Sequence, residues 1–212
     1  LNTIMEDSTP NITGVFQVNY PDGTPIVKDE RSNWGVTLIE LETNGAIVAP
    51  KSGYDIGGGF NYTVLYADHN ELTLKATLED SAAYWYTLHF VDLNVKQEIV
   101  DAYVANEKDR ENSLVAMPCG FKIGTAKDSK FKVAVAHTGT FMDPRVRKDW
   151  WNEPSNTSCA GIGLGRVAPQ STQICTVNAA PQATGVGKTA GAVDFCKGCT
   201  DKEGFVFTLL QK

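Results

Sequence analysis

The residues that could carry out chemistry in this chain are few and widely spaced. Its three histidines, His69, His89 and His137, fall in a predicted turn, a strand and a hairpin edge. A catalytic zinc site requires several side chains that converge on one point and leave a position open for water. Nothing in the spacing favours such convergence, so we predict that each histidine is structural or exposed. The sequence predicts no metal site and no cofactor.

The sequence supports nucleophilic or acid–base catalysis little better than it supports a metal site. No Gly-x-Ser-x-Gly elbow is present. Cys119 could act as a nucleophile with a distant histidine, but a buried or disulfide-bonded cysteine is the commoner case. Two carboxylates near the aromatic strand could form a glycosidase pair, although acidic residues at strand ends are usually solvated turn residues. The pair would come from Glu79, Asp80, Asp92 and Asp143. We therefore predict that the protein is not an enzyme.

The cysteines indicate an oxidising environment. Four of the five crowd the last quarter of the chain, at Cys159, Cys175, Cys196 and Cys199. In a secreted chain this distribution predicts two disulfides in a loop-rich tail, with Cys119 free or paired to one of the four. Cys196 and Cys199 could instead be half of a zinc knuckle. The second pair would then be Cys159 and Cys175, which are sixteen residues apart, a poor spacing for zinc.

Other features of the chain also favour secretion. Asn11, Asn61 and Asn156 each begin an Asn-x-Ser/Thr sequon and are candidate glycosylation sites. The chain begins at Leu1 instead of Met, which fits removal of an upstream segment, although a trimmed chain would look the same. The net charge of −6 argues against a nucleic-acid partner. No apolar run approaches the ~20 residues of a membrane span. We expect a secreted, extracellular protein.

The elements that must position these residues are mostly β-strands. Strict alternation predicts a hairpin from residues 62–66 and 71–77, and an aromatic strand over 83–91. Apolar residues at helical spacing predict one helix over 95–110. The predicted fold is all-β, an antiparallel sandwich or partly open barrel with one short inserted helix and a disulfide-bonded, loop-rich tail.

Composition divides the chain into two parts. Residues 1–151 form the predicted β-rich core domain. Residues 152–212 form a cysteine-containing extension, because Gly, Ala, Ser, Thr and Pro predominate over 152–192. The segment Gly204 to Leu210 (GFVFTLL) predicts a final strand, and a terminal strand of that hydrophobicity is expected to dock on the core.

Four motifs from about residue 45 to residue 151 occur in an informative order. They are AIVAPKSG (46–53), WYTLHFVDLNV (85–95), GFKIGT (120–125) and FKVAVAHTGTFMDP (131–144). This order resembles the lysostaphin-type zinc endopeptidases of peptidoglycan, with their V-x-A-P-x-x-G turn, Tyr-x-His-Leu strand, G-x-x-I-G turn and closing hairpin. The match covers about half the chain, and the helix would be an insertion relative to the family.

The resemblance implies a zinc site that this chain has lost. The family binds zinc through an early His-x-x-x-Asp pair and the second His of a late His-x-His. Here the early pair falls near Ser32, Asn33 and Thr37, and the late motif aligns with residues 130–132, Lys-Phe-Lys. Lysine presents an ammonium group, which repels a dication. Only the Tyr-x-His position remains, as His89, so the resemblance implies a pseudoenzyme.

Aromatic residues are the predicted binding site. Trp85 lies in the aromatic strand, and Trp150 and Trp151 lie near Arg145 and Arg147. Flat aromatic faces beside polar groups can stack on sugars or grip a partner protein, whereas the alternative is that the Trp pair plugs the end of a barrel. We expect a non-catalytic binding or structural protein at a cell surface or in an extracellular assembly. The resemblance points to a glycan or wall polymer as its ligand.

Two alternatives remain open. Strands at both ends of the chain could complete a neighbour's sheet, which would make the protein a subunit of an extracellular filament or matrix built from copies of itself. The other alternative is a zinc-dependent hydrolase with an atypical ligand set such as His69, His89 and Asp92.

Overall fold

The computed structural model describes residues 1–6, 8–18, 25–27, 37–51, 53–78, 86–137, 140–147, 150–152 and 159–170. These residues form thirteen β-strands, one α-helix and two short 3₁₀ helices. The strands are β1 (Ile12–Val18), β2 (Pro25–Val27), β3 (Thr37–Glu42), β4 (Ala46–Val48), β5 (Tyr62–Ala67), β6 (Leu72–Lys75), β7 (Tyr86–Val91), β8 (Leu93–Val95), β9 (Leu114–Met117), β10 (Lys122–Ala126), β11 (Lys130–His137), β12 (Thr140–Met142) and β13 (Gly165–Val167).

The described strands form two antiparallel sheets. The larger has ten strands in the order β13-β9-β5-β6-β7-β11-β3-β1-β2, with β12 paired to β11. The smaller has the order β4-β10-β8. The prediction of a mostly antiparallel β fold with one short helix is confirmed, and the larger sheet is open, with β13 and β2 as its described edges.

The predicted hairpin of residues 62–77 is also confirmed, as β5 and β6. Its turn is organised by Asp68, whose carboxylate oxygen Oδ1 accepts hydrogen bonds from the backbone N–H groups of Asn70 and Glu71, both at 2.7 Å. Aspartate side chains commonly close turns in this way, because they bond to backbone groups two or three residues ahead.

The helix α1 (Gln97–Asn106) is shorter than the predicted range of 95–110. At its start, Val95 pairs with Gly124 of β10 and so belongs to a strand. At its end, the chain tightens into a 3₁₀ helix at Glu107–Asp109. Ile99 and Val100, two of the apolar residues at helical spacing, are buried as predicted, whereas a third, Val104, is 59% exposed.

Strand alternation gives the ten-stranded sheet two different faces. Ile39, Val133 and Phe90 are register partners and point to one side, where they join the main hydrophobic core. We call this side the apolar face. The core lies between this face, the small sheet and α1, because Ile47, Ile123 and the buried helix residues belong to the same cluster.

The predicted extension contributes to the core domain's sheet. Its strand β13 pairs with β9 at the edge of the larger sheet. A disulfide joins Cys159 of the extension to Cys119, which follows β9. The predicted docking strand of residues 204–210 lies outside the described residues. Within the described part of the chain, no helix has the length and hydrophobicity that a membrane crossing requires.

Candidate functional site

The second face of the ten-stranded sheet has polar side chains that are buried at its centre. Its central side chains are at most 2% exposed, and register pairs Thr73 with His89, Lys75 with Thr87 and Thr63 with Lys75. We call this side, defined by Thr63, Thr73, Lys75, Thr87 and His89, the polar face. It is the candidate site because it contains His89, the residue that the motif resemblance predicts to be retained from a catalytic site.

His89 is completely buried in the middle of this face. Its ring nitrogen Nδ1 lies 3.1 Å from the hydroxyl oxygen of Thr73. Burial, reinforced by the positive charge of Lys75, lowers the pKa of His89 from 6.5 to about 3. The imidazole is therefore neutral at physiological pH and has no exposed surface in this conformation.

The two lysines that align with the family's late His-x-His form ion pairs. Lys130 Nζ lies 3.0 Å from Glu40 Oε1, and Lys132 pairs with Asp92. The ammonium group of Lys132 also lies 5.1 Å from the ring centre of Phe16. Burial opposes ionisation of Glu40, but hydrogen bonds from Lys130 and Thr13 outweigh it and lower the pKa of this carboxyl. Anionic partners thus hold the cations in place.

Of the three positions that the resemblance assigns to the early ligand pair, only Thr37 lies in the described residues. Thr37 is two residues before Ile39 in β3, so both side chains point to the apolar face, away from His89. Ser32 and Asn33 lie outside the described residues. The atypical set of His69, His89 and Asp92 is not assembled either. His69 is exposed in the turn, and no group of three or more His, Cys, Asp or Glu residues in the described ranges is arranged to hold a metal ion.

The tryptophan pair, predicted to be a binding surface, belongs to the core instead. Trp150 is 2% exposed and packs edge-on against Tyr86, with 5.5 Å between ring centres. Trp151 is 6% exposed, and the Arg147 guanidinium covers its ring at 4.6 Å. The large apolar area of both rings explains this burial, which corresponds to the alternative of a plug. Neither ring is available to stack on a sugar.

Of the other two predicted binding residues, only Arg145 lies in the described part of the chain. The guanidinium of Arg145 is held by Asp143, with 2.9 Å between Arg145 Nε and Asp143 Oδ1. Trp85 lies outside the described residues.

The three sequons differ in position. Asn61 is completely buried, and its amide oxygen accepts a hydrogen bond from the Cys119 backbone N–H at 2.8 Å. A glycan would have to attach to Nδ2 of this fully buried side chain, which donates to the carbonyl oxygens of Gly53 and Tyr54, so the structure does not favour modification there. Asn11 is exposed, and Asn156 lies outside the described residues.

The sequence left two possibilities for Cys119, which was either free or paired to one of the four tail cysteines. The structure shows the second, because a disulfide joins Cys119 to Cys159 across 40 residues. Cys175, Cys196 and Cys199 lie outside the described residues.

Two surface grooves are lined entirely by described residues. The first, of about 370 Å³, is lined by residues 54–56, 76–78 and Gln170, and we call it the Tyr54 groove. The second, of about 460 Å³, lies beside the disulfide and is lined by Lys96, residues 118–122, Cys159, Gly161 and Ile162, and we call it the disulfide groove. Sequence reasoning missed both. The sequence feature that could have indicated the Tyr54 groove is the adjacent pair Tyr54 and Asp55, just before Gly57-Gly58-Gly59.

No protein-family model, curated protein or solved structure matches this chain. The resemblance to lysostaphin-type endopeptidases therefore stays a prediction that rests on motif order.

Proposed function

We propose that this protein is an extracellular, non-catalytic binding protein whose ligand is a glycan. The observation that supports this most directly is the state of the polar face. Its histidine is buried and neutral, and the aligned lysines of β11 are engaged with carboxylates.

A catalytic base must come within hydrogen-bonding reach of the proton that it removes. His89 has no exposed surface and is already within 3.1 Å of Thr73. A role in packing the sheet accounts for both facts. The polar face therefore supports a scaffold that was kept for its shape and not for hydrolysis.

The ligand class comes from the motif resemblance and from the surface. The family that the motifs resemble acts on a cell-wall polymer, and that step is analogy. The Tyr54 groove adds a physical reason, since concave surfaces with one aromatic and a few polar side chains are typical of ligand sites. The disulfide supports an oxidising compartment such as the cell exterior.

The filament alternative has less support. The described edge strands β2 and β13 of the larger sheet have only three residues each. Short edge strands offer few backbone groups to an added strand. We therefore expect the purified protein to be a monomer by light scattering, and a concentration-dependent polymer would favour the filament.

The proposal is tested by binding and turnover on the same polymers. The wild-type protein is applied to an array of wall polysaccharides and peptidoglycan, and the bound polymers are then incubated with it and analysed by mass spectrometry. We expect binding without cleavage, and the same result for His89→Gln, because the buried imidazole does not contact the ligand. Cleavage that a zinc chelator abolishes would contradict the proposal, as would failure to bind any polymer.

A further inference from the structure

We propose that the Tyr54 groove is the glycan site and that it takes an uncharged sugar unit. This inference rests on the proposed function and gives it a location and a ligand class. The groove combines an exposed ring, an apolar wall and polar groups at its edge, in a volume of about 370 Å³.

The aromatic ring comes from Tyr54, which is 37% exposed. An aromatic face is a suitable surface for the C–H side of a sugar ring, because it is flat and apolar and loses little freedom on binding. Ala76 and Leu78 line the same groove and supply further apolar surface. The burial of Trp150 and Trp151 leaves Tyr54 as the most exposed aromatic residue in the described part of the chain.

The polar groups come from Asp55 and Gln170. Oxygen Oδ1 of Asp55 accepts a hydrogen bond from the Gly57 backbone N–H at 2.8 Å, which orients the carboxylate. The backbone N–H of Gln170 donates to the Leu78 carbonyl at 3.0 Å, which holds the glutamine at the groove. A carboxylate and an amide can bond to hydroxyl groups, and the negative charge of Asp55 disfavours acidic sugars.

The chain that carries Tyr54 is fixed from below. The buried Asn61 side chain donates to the carbonyl oxygens of Gly53 and Tyr54 at 3.5 and 3.4 Å. A Cβ atom at Gly53 would come within 2.5 Å of the Tyr62 ring, so only glycine allows this close approach. Tyr62 in turn donates to the Pro50 carbonyl at 2.8 Å. Such support lowers the entropy lost on binding.

The disulfide groove is a weaker candidate. Its lysines, Lys96 and Lys122, already pair with Glu98 and Glu6 at 2.6 and 2.9 Å. Its one aromatic residue, Phe121, is only partly exposed and its ring faces the Lys96 ammonium at 5.3 Å, while its most exposed apolar residue, Ile162, has no ring. This groove therefore provides a matched control surface on the same protein.

The test is isothermal titration with three tetrasaccharides, namely the tetramer of N-acetylglucosamine, cellotetraose and tetragalacturonic acid. We expect the wild-type protein to bind at least one uncharged tetramer at least tenfold more tightly than the acidic one. Tyr54→Ala should weaken that binding by about tenfold, because the ring contact is lost. Tyr54→Phe keeps the ring and should stay within about twofold, and the control Ile162→Ala should match the wild type.

Circular dichroism and thermal unfolding establish that each variant is folded. If Tyr54→Ala is not folded, Gln170→Ala is used in its place, because Gln170 is exposed and the expected loss is about threefold for one hydrogen bond. Unchanged affinity in the folded groove variants would overturn the Tyr54 site and leave the glycan-binding function intact. Preference for the acidic tetramer, or binding to array polymers without binding to either uncharged tetramer, would overturn the ligand class. Failure of the wild-type protein on both the tetramers and the array would remove the proposed function itself.

Discussion

The centres of the two faces of the ten-stranded sheet are equally buried but differ in chemistry. On the apolar face, Phe131, Val133 and Phe90 are at most 1% exposed and join one continuous hydrophobic cluster. On the polar face, Lys75 and His89 are also fully buried. Burial alone therefore does not identify the core of this protein.

The difference lies in how each face responds to its surroundings. Apolar side chains gain stability from leaving water, and this gain does not depend on pH. Ionisable side chains that leave water keep the neutral form and shift their pKa, so their contribution changes with pH. The polar face and the turn at its end should carry the pH dependence of folding, and the apolar face should carry most of the stability.

The largest effect is expected from Phe131→Ala on the apolar face. Loss of a fully buried phenylalanine should lower the free energy of unfolding by about 3–5 kcal/mol, because transfer energy is lost and a cavity remains. Urea unfolding at pH 7.5 measures this change. The matched variant is Thr87→Val on the polar face, whose buried hydroxyl has no hydrogen-bond partner among the described residues. It should change stability by less than about 1 kcal/mol. Equal losses in the two variants would erase the contrast between the faces.

The second effect concerns acid and His89. Its pKa is about 3 in the folded protein and 6.5 as a model value, so the unfolded chain binds the additional proton between these values. The stability is full above pH 6.5 and falls as the pH drops toward 3. This group should cost about 3 kcal/mol between pH 7.5 and pH 4.

His89→Gln should flatten this part of the profile in urea unfolding measured at several pH values. Phe131→Ala should lower the free energy of unfolding by the same amount at every pH, which leaves the shape of the pH profile unchanged. An acid limb that is equally steep with and without His89 would show that the polar face is not its source.

The smallest effect has the opposite sign and concerns Glu71, at the turn before β6. Burial raises its pKa to about 8, and the nearby carboxylates of Asp68 and Asp92 add to this. Because the folded pKa exceeds the ordinary value of 4.5, the stability is present below pH 4.5 and is lost as the pH rises toward 8.

Glu71→Gln should therefore raise the melting temperature by about 2–4 °C at pH 8, a shift typical of roughly 1 kcal/mol in a chain of this size. At pH 4.5 the variant and the wild type should melt together. Thermal unfolding followed by circular dichroism gives both values. A variant that is less stable at pH 8 would show that the carboxylate is stabilising where we infer repulsion.

The contrast between the faces also shows where sequence reasoning succeeds. The alternation of β5 and β6 and the helical spacing before Asn106 are local signals, and both elements are confirmed. Local signals failed for Trp150 and Trp151, which were predicted to be exposed but are buried. A tryptophan next to arginines in the sequence can be either, because its burial depends on residues that are distant along the chain. Sequence reasoning also did not single out Tyr54, the ring of the proposed glycan site, because the groove beside it is formed with residues 76–78 and Gln170, which are distant along the chain.

By itself, the sequence determined the antiparallel β character, the hairpin, the helix that ends at Asn106 and the lack of a familiar catalytic motif, since each depends on neighbouring residues. Tertiary structure alone decided that Cys119 joins Cys159, that His89 is sealed inside a polar face and that Asn61 supports the Tyr54 segment. These contacts join residues that are distant along the chain, and alternation shows that a strand has two faces without showing what covers each one.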